Sequence, residues 1–172
     1  MRPALVVGLL LAIPAHAGYP GDEVAEDLIR AMRVDELVAQ LVERDVRSEC
    51  RVRKCAVDLK ACLKTINRDE IMMWLVFVVE DELTPAEMKA ATAYFRSDVG
   101  MRHREVIEAT RNVGKASLQD QPPEIRTVML KFLDTPAGYR LVTRAVLTNT
   151  ERVDRIIERQ ASDVLNACQP AE

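Results

Sequence analysis

The chain has 172 residues, of which 48% are apolar and 30% charged, and a formal charge of −3. Mild acidity leaves no general footprint for nucleic acid. An aromatic content of 4% and only six glycines argue against a β-sandwich, which needs aromatic and β-branched alternation and many turn residues.

The first 17 residues, MRPALVVGLLLAIPAHA, set one positive charge (Arg2) before an apolar run from Ala4 to Ile13. Pro14 ends the run, and Ala15-His16-Ala17 offers small residues at the two positions a signal peptidase reads. As a helix the run spans ~15 Å, half a bilayer core, which favours a cleaved leader over an anchor. The expectation is a signal peptide over 1–17 and a mature domain over 18–172. That domain would be periplasmic or secreted, with no transmembrane span. Losing Arg2 takes the formal charge to about −4.

After a short Gly/Pro lead the pattern is helical. Val24, Leu28, Ile29 and Met32 recur at helix spacing, and so do Val34, Leu37, Val38, Leu41 and Val42 after a charged break. Val52, Cys55, Ala56, Leu59, Cys62, Leu63 and Ile66 form one stripe, which predicts a helix across 52–66. Asn67 is placed to cap the next helix, with Glu70 at its third position and nine consecutive apolar residues from Ile71 to Val79. Thr84-Pro85-Ala86-Glu87 combines a capping Thr, a Pro at the first helical position and a Glu that reaches back. The last helix is expected from about Glu151 to Cys168, with Val153, Ile156, Ile157, Val164 and Leu165 on one side. No strand-like alternation competes. The fold class is all-α: one domain, a bundle or array of about eight or nine helices.

Two phrases match at an offset of 38 residues: AYFRSDVG, ending at Gly100, and KFLDTPAG, ending at Gly138. Ser97 and Thr135 follow Tyr94-Phe95 and Phe132-Leu133, and each hydroxyl is placed to cap the next helix. Gly100 and Gly138 then fall at the third helical position, where glycine costs roughly 1 kcal/mol relative to alanine. The compensating gain is space, letting the new helix lie close to the aromatic before the turn. Pro85 also aligns with Pro123, Arg102 with Arg140, and Thr110 with Thr148. The reading is two related helix-corner-helix units, 84–112 and 122–148.

The stretch ELTPAEMKAATAYFRSDVGMRHRE, through Leu83, Glu87, Tyr94, Phe95, Ser97 and Gly100, resembles the domain of unknown function 2059 family of exported bacterial proteins. Asp98 stands where members usually carry Pro, and Met101-Arg102 where they often carry Gln-Lys. The resemblance implies an all-α exported protein and brings no catalytic residues.

Four cysteines, Cys50, Cys55, Cys62 and Cys168, make two disulfides the expectation for an exported chain. Cys55 and Cys62, on one helical stripe, would lie ~10 Å apart and so should not pair with each other. Cys50–Cys55 with Cys62–Cys168 leads; Cys50–Cys62 with Cys55–Cys168 stays open. The absence of any C-x-x-C spacing gives no support for a zinc or thioredoxin-like site. Leader removal leaves His103 as the last histidine, expected to be a solvated residue on a charged helix.

Three surfaces are candidates for function. Ile71–Val79 is either a helix buried on every side or one that keeps Ile71, Trp74, Leu75 and Val78 inside and exposes Met72, Met73 and Phe77 as a binding patch. The stretch 44–68 sets Arg44, Arg47, Arg51, Arg53, Lys54, Lys60, Lys64 and Arg68 against Asp45, Glu49 and Asp58, a basic surface suited to an anionic envelope component. Glu80, Asp81 and Glu82 cluster, but adjacent acids at a helix end do not face one another as a hydrolase pair must. The functional expectation is an exported, non-catalytic binding protein without cofactor, acting on a protein partner, a second copy of itself or an envelope component. A carrier or chaperone for an apolar ligand is the alternative, and an envelope hydrolase comes last.

Overall fold

In a computed structural model, which describes residues 20–53, 58–113, 118–147 and 150–168, every regular element is helical and no strand occurs among the described residues. α1 (Pro20–Met32) buries Leu28, Ile29 and Met32 of the expected stripe together with Ala25, while Val24 is only partly buried against the core. Arg33 then takes a left-handed φ of 57°, its N–H returning to Arg30 O at 3.1 Å, and the chain turns into α2 (Val34–Arg53). α4 (Arg68–Glu82) starts at Asn67, whose side chain accepts the Glu70 N–H at 3.1 Å. α5 (Pro85–Arg96) starts with both arms of a capping box: Thr84 N–H donates to Glu87 at 2.8 Å, and Glu87 N–H donates to Thr84 Oγ1 at 3.3 Å. α9 (Glu151–Ala167) is capped by Thr150 and puts Val153, Ile156, Ile157, Ala161, Val164 and Leu165 inside.

The helix expected over 52–66 is not continuous. α2 carries the chain to Arg53, with Val52 77% exposed. A new short helix, α3 (Leu59–Leu63), begins where the Asp58 carboxylate accepts the N–H groups of Lys60 and Ala61. A capping side chain ends one helical run and starts another even when apolar spacing carries through it. Cys55 and Lys54 lie outside the described residues, as does the leader over 1–17. Cys62 and Cys168 are disulfide-bonded, Cα atoms 5.6 Å apart, joining α3 to the end of α9 across 106 positions; Cys50 is also in a disulfide.

Both corners form as the repeated phrase requires. Gly100 N–H donates to Ser97 Oγ at 3.1 Å, and Gly138 N–H donates to Thr135 Oγ1 at 3.0 Å. Each hydroxyl in turn donates to the carbonyl three residues back, Tyr94 O at 2.6 Å and Phe132 O at 2.7 Å. A Cβ on either glycine would sit 1.9 Å from that same carbonyl oxygen. Close approach is therefore the reason for glycine, and the neighbour is the aromatic residue's backbone. Gly138 has an ordinary helical φ of −61°, so no left-handed geometry is involved.

The first corner joins α5 to α6 (Asp98–Val113); the second joins α7 (Pro123–Leu133) to α8 (Pro136–Gly138), which continues as a π-turn over Tyr139–Thr143. Contacts between the units are reciprocal, α5 with α8 and α6 with α7. Tyr94 and Phe132, equivalent positions of the two phrases, stack 3.7 Å apart at 7°. Equivalent residues meeting face to face is what a local two-fold relation produces. The second unit is shorter than the expected 122–148. Its last helix ends at Thr143, and Ala145 takes a φ of 50° that no helix continues through. Thr148 lies outside the described residues.

The core gathers α1, α2, α4, α5 and α9 around Leu28, Ile29, Val42, Ile71, Leu75, Val79, Phe95 and Leu147. α4 packs on α1, α2 and α9, so three of its sides are covered.

Candidate binding groove between α4 and α9

The nine-residue apolar run lies on α4, and its partly uncovered side forms one wall of a groove of about 670 Å³. Ile71, Leu75, Val76, Val78 and Val79 are buried. Met73 is 46% and Phe77 54% exposed, as expected of a binding patch. Met72 is half-buried and packs against the core, so it belongs less to the patch than its neighbours do. Trp74, expected inside, is instead half-buried: its ring packs on the core on one side and lines the groove on the other. Trp74 and Phe77 are one turn apart on one face, ring centroids 5.8 Å apart.

The opposite wall is α9. Its outward arginines, Arg152, Arg155 and Arg159, stand beside Ile156 and face Trp74, Phe77, Val78 and Asp81. Arg152 Nη1 lies 2.6 Å from Asp81 Oδ2, and Arg155 pairs within its own helix with Glu151 at 3.2 Å. The Arg159 guanidinium lies 5.5 Å from the Trp74 ring centroid. Trp74 Nε1–H donates to Glu70 Oε1 at 3.3 Å. Glu70 thus gives its N–H to the Asn67 cap and its carboxylate to a residue one turn onward. The Gln160 and Trp74 side chains directed at Glu70 hold its carboxyl below the usual carboxylate range. Gln160 itself is buried, and its Nε2 makes no hydrogen bond of ordinary length.

The basic surface is only partly assembled. Arg44, Arg47 and Arg51 line one shallow hollow on α2 with Glu43 and Ser48. Glu43, just outside the counted stretch, takes up Arg47 at 2.6 Å, and Asp45 takes up Arg44 at 3.3 Å. Lys60 and Lys64 are exposed on α3 and do not line that hollow. The Arg53 side chain and Lys54 lie outside the description. The acidic cluster disperses: Asp81 turns to Arg152, Glu82 to Arg144 at 3.5 Å, and Glu80 to solvent.

His103 corrects the expectation of a solvated histidine. It is 1% exposed, with Nδ1 2.7 Å from the Tyr94 hydroxyl and ring contacts to Tyr94, Phe95 and Phe132. Desolvation holds its pKa down to about 4 and pushes that of Tyr94 above its ordinary range. The ring is therefore neutral at pH 7, and the tyrosine donates to it.

The α9 arginines and the Trp74 placement are what sequence reasoning missed. A signal existed for the arginines, which recur at i, i+3 and i+7 beside the apolar stripe of α9. Which helix they face is a tertiary fact. Among the described residues no group of three or more His, Cys, Asp or Glu is placed to hold a metal ion. Comparison of the chain with family models, curated proteins and solved structures returned no match.

Proposed function

We propose that the protein is an exported, non-catalytic binding protein, related to the exported helical family its first corner resembles, and that it binds a partner protein in the α4–α9 groove. One observation carries the reading: Trp74, Phe77 and Val78 present apolar surface to a row of arginines across the groove. Trp, Phe and Arg are the residue types enriched at interface centres. The disulfides fit an oxidising compartment, and no helix among the described residues is long and apolar enough to cross a membrane.

The openness of the groove favours a protein segment over a carried lipid. A small-molecule site encloses most of its ligand's surface, whereas here Phe77 in the groove wall remains about half exposed. An amphipathic helix laid along such a groove buries that ring. The basic hollow on α2 supports an envelope contact less well, because Glu43 and Asp45 already partner two of its three arginines.

The test is a photoreactive phenylalanine analogue at position 77 in cells that export the chain. It is expected to crosslink to a specific protein, while the same analogue at Tyr139, exposed elsewhere on the molecule, does not. Equal crosslinking at both positions, or none at 77, overturns the proposal.

A further inference from the structure

The two ends of the groove differ in how firmly their arginines are held. Arg152 is engaged at short range by Asp81. Arg159 has no such engagement: its nitrogens lie 3.5 Å from Glu70 and 4.0 Å from Asp163, and its side chain is 60% exposed. Those distances exceed a good charged hydrogen bond. A guanidinium carries five donors in a fork that matches a carboxylate, and here the fork is parked over the Trp74 ring. The Glu70 oxygen nearest Arg159 also accepts the Trp74 indole N–H, at 3.3 Å, so it is shared between the two. The lining holds three arginines against two acids, Asp81 and Glu158, and Asp81 is committed to Arg152. Glu70 and Asp163 also face Arg159 at the Trp74 end, but at longer range than Asp81 faces Arg152 or Glu151 faces Arg155, so Arg159 is the groove arginine whose fork is least engaged.

Resting on the groove reading above, we infer that Arg159 is the specificity residue of the groove, and that the occupant is an acidic amphipathic helical segment of a partner protein whose carboxylate draws Arg159 off Trp74. Apolar side chains one turn apart on the segment lie on Trp74 and Phe77. The carboxylate on its flank takes the Arg159 fork, and the uncovered indole face takes an apolar anchor in its place. The cation over the ring thus screens Trp74 until a ligand bearing both groups arrives. A purely apolar segment would have to displace the guanidinium without offering it a partner.

Trp74 is the sole tryptophan, so the groove carries its own reporter. The experiment titrates the purified, oxidised protein with a synthetic amphipathic helix of about 18 residues, five turns, bearing Leu at helix spacing and Glu on one flank. A matched peptide carries Gln for Glu, and laurate and anionic phospholipid vesicles form separate arms. The acidic peptide is expected to shift Trp74 emission saturably and to bind at least about tenfold more tightly than the Gln peptide. Arg159→Gln, a change at an exposed position, is expected to abolish that preference while leaving the Gln peptide's binding in place. Equal binding of the two peptides to the unmodified protein overturns the inference and leaves the groove reading standing. No saturable response to either peptide, or full binding by Phe77→Asp, overturns the groove itself. A response to laurate or vesicles at lower concentration than to the acidic peptide overturns the peptide as occupant.

Discussion

Gly100 and Gly138 are the clearest cases in which one missing atom decides a local structure. Both sit in right-handed helix, where alanine would ordinarily be preferred by roughly 1 kcal/mol. A Cβ would nevertheless stand 1.9 Å from Tyr94 O or Phe132 O, and neither carbonyl can yield, since each accepts the N–H and hydroxyl of the capping residue. Gly100→Ala and Gly138→Ala are expected to lose about 3 kcal/mol each. Met101→Leu, at a partly exposed position, should stay within about 0.5 kcal/mol. Chemical denaturation of the three variants decides it, and alanine variants as stable as the parent would refute the close approach.

His103 makes a second prediction at this scale. Its folded pKa of about 4 lies below the unfolded value near 6.5, so between those values the unfolded chain takes up a proton that the folded chain refuses. Its contribution is therefore fully present above about pH 6.5 and is lost as pH falls toward 4, by roughly 3 kcal/mol in all. His103→Gln, which still accepts from Tyr94, should flatten the fall in thermal midpoint between pH 7 and 4. An unchanged slope would place the acid sensitivity elsewhere, in carboxylates such as Glu70 and Glu87 whose pKa values are lowered.

Between elements, ion pairs differ according to what surrounds them. Arg140, from the turn after the second corner, donates to Glu82 O at 2.9 Å and to both oxygens of Glu87 at 3.0 and 3.1 Å. It thereby ties the second unit to the capping box that starts α5, and the pair is largely shielded, with side chains 34% and 21% exposed. Arg152–Asp81 is shorter but more than half exposed on both sides. Arg140→Met is expected to cost about 1–2 kcal/mol, since it strips a charged hydrogen-bond partner from Glu87 and a donor from Glu82 O. Arg152→Met should cost under about 0.5 kcal/mol. Urea midpoints that rank the two the other way would refute this account. The local two-fold breaks at this contact: the position equivalent to Glu87 in the second unit is Ile125, which offers Arg102 no carboxylate.

At the scale of the whole molecule, the Cys62–Cys168 bond closes the longest loop among the described residues. Its 106-residue separation corresponds to about 4–5 kcal/mol of loop-closure entropy in the unfolded chain. Cys62 is also the one buried residue of the five-residue α3, so the bond is the main attachment of that segment. The double variant Cys62→Ser, Cys168→Ser should lower stability by that order. Amide exchange around α3 should rise far more than around α9, whose buried face holds it independently. Equal loss of protection in both helices would show that the bond secures α9 instead.

What could be read in the sequence was what acts within about four residues. The Thr84 box, the Asn67 cap, Pro85 at a helix start, and the hydroxyl-to-glycine spacing of the corners are all closed locally, and all appear as expected. The pairing of Cys62 with Cys168 was legible only as the leading of two, because Cys55 and Cys62 share one apolar stripe and periodicity does not separate them. Periodicity misled where a local cap outranked it, at Asp58. It was silent wherever an outcome depended on which helix packs against which. His103 sits between Arg102 and Arg104 and reads as solvated; only the meeting of α5, α6 and α7 encloses it in aromatic rings. Trp74 lies in an unbroken apolar run with no polar side to orient it. The packing of α9 against α4, joining residues more than seventy positions apart, left its ring half-buried with Arg159 over it. Local hydrogen bonds form from neighbours already at hand, whereas a groove exists only where two helices, each free to bury its apolar side in many ways, meet in one.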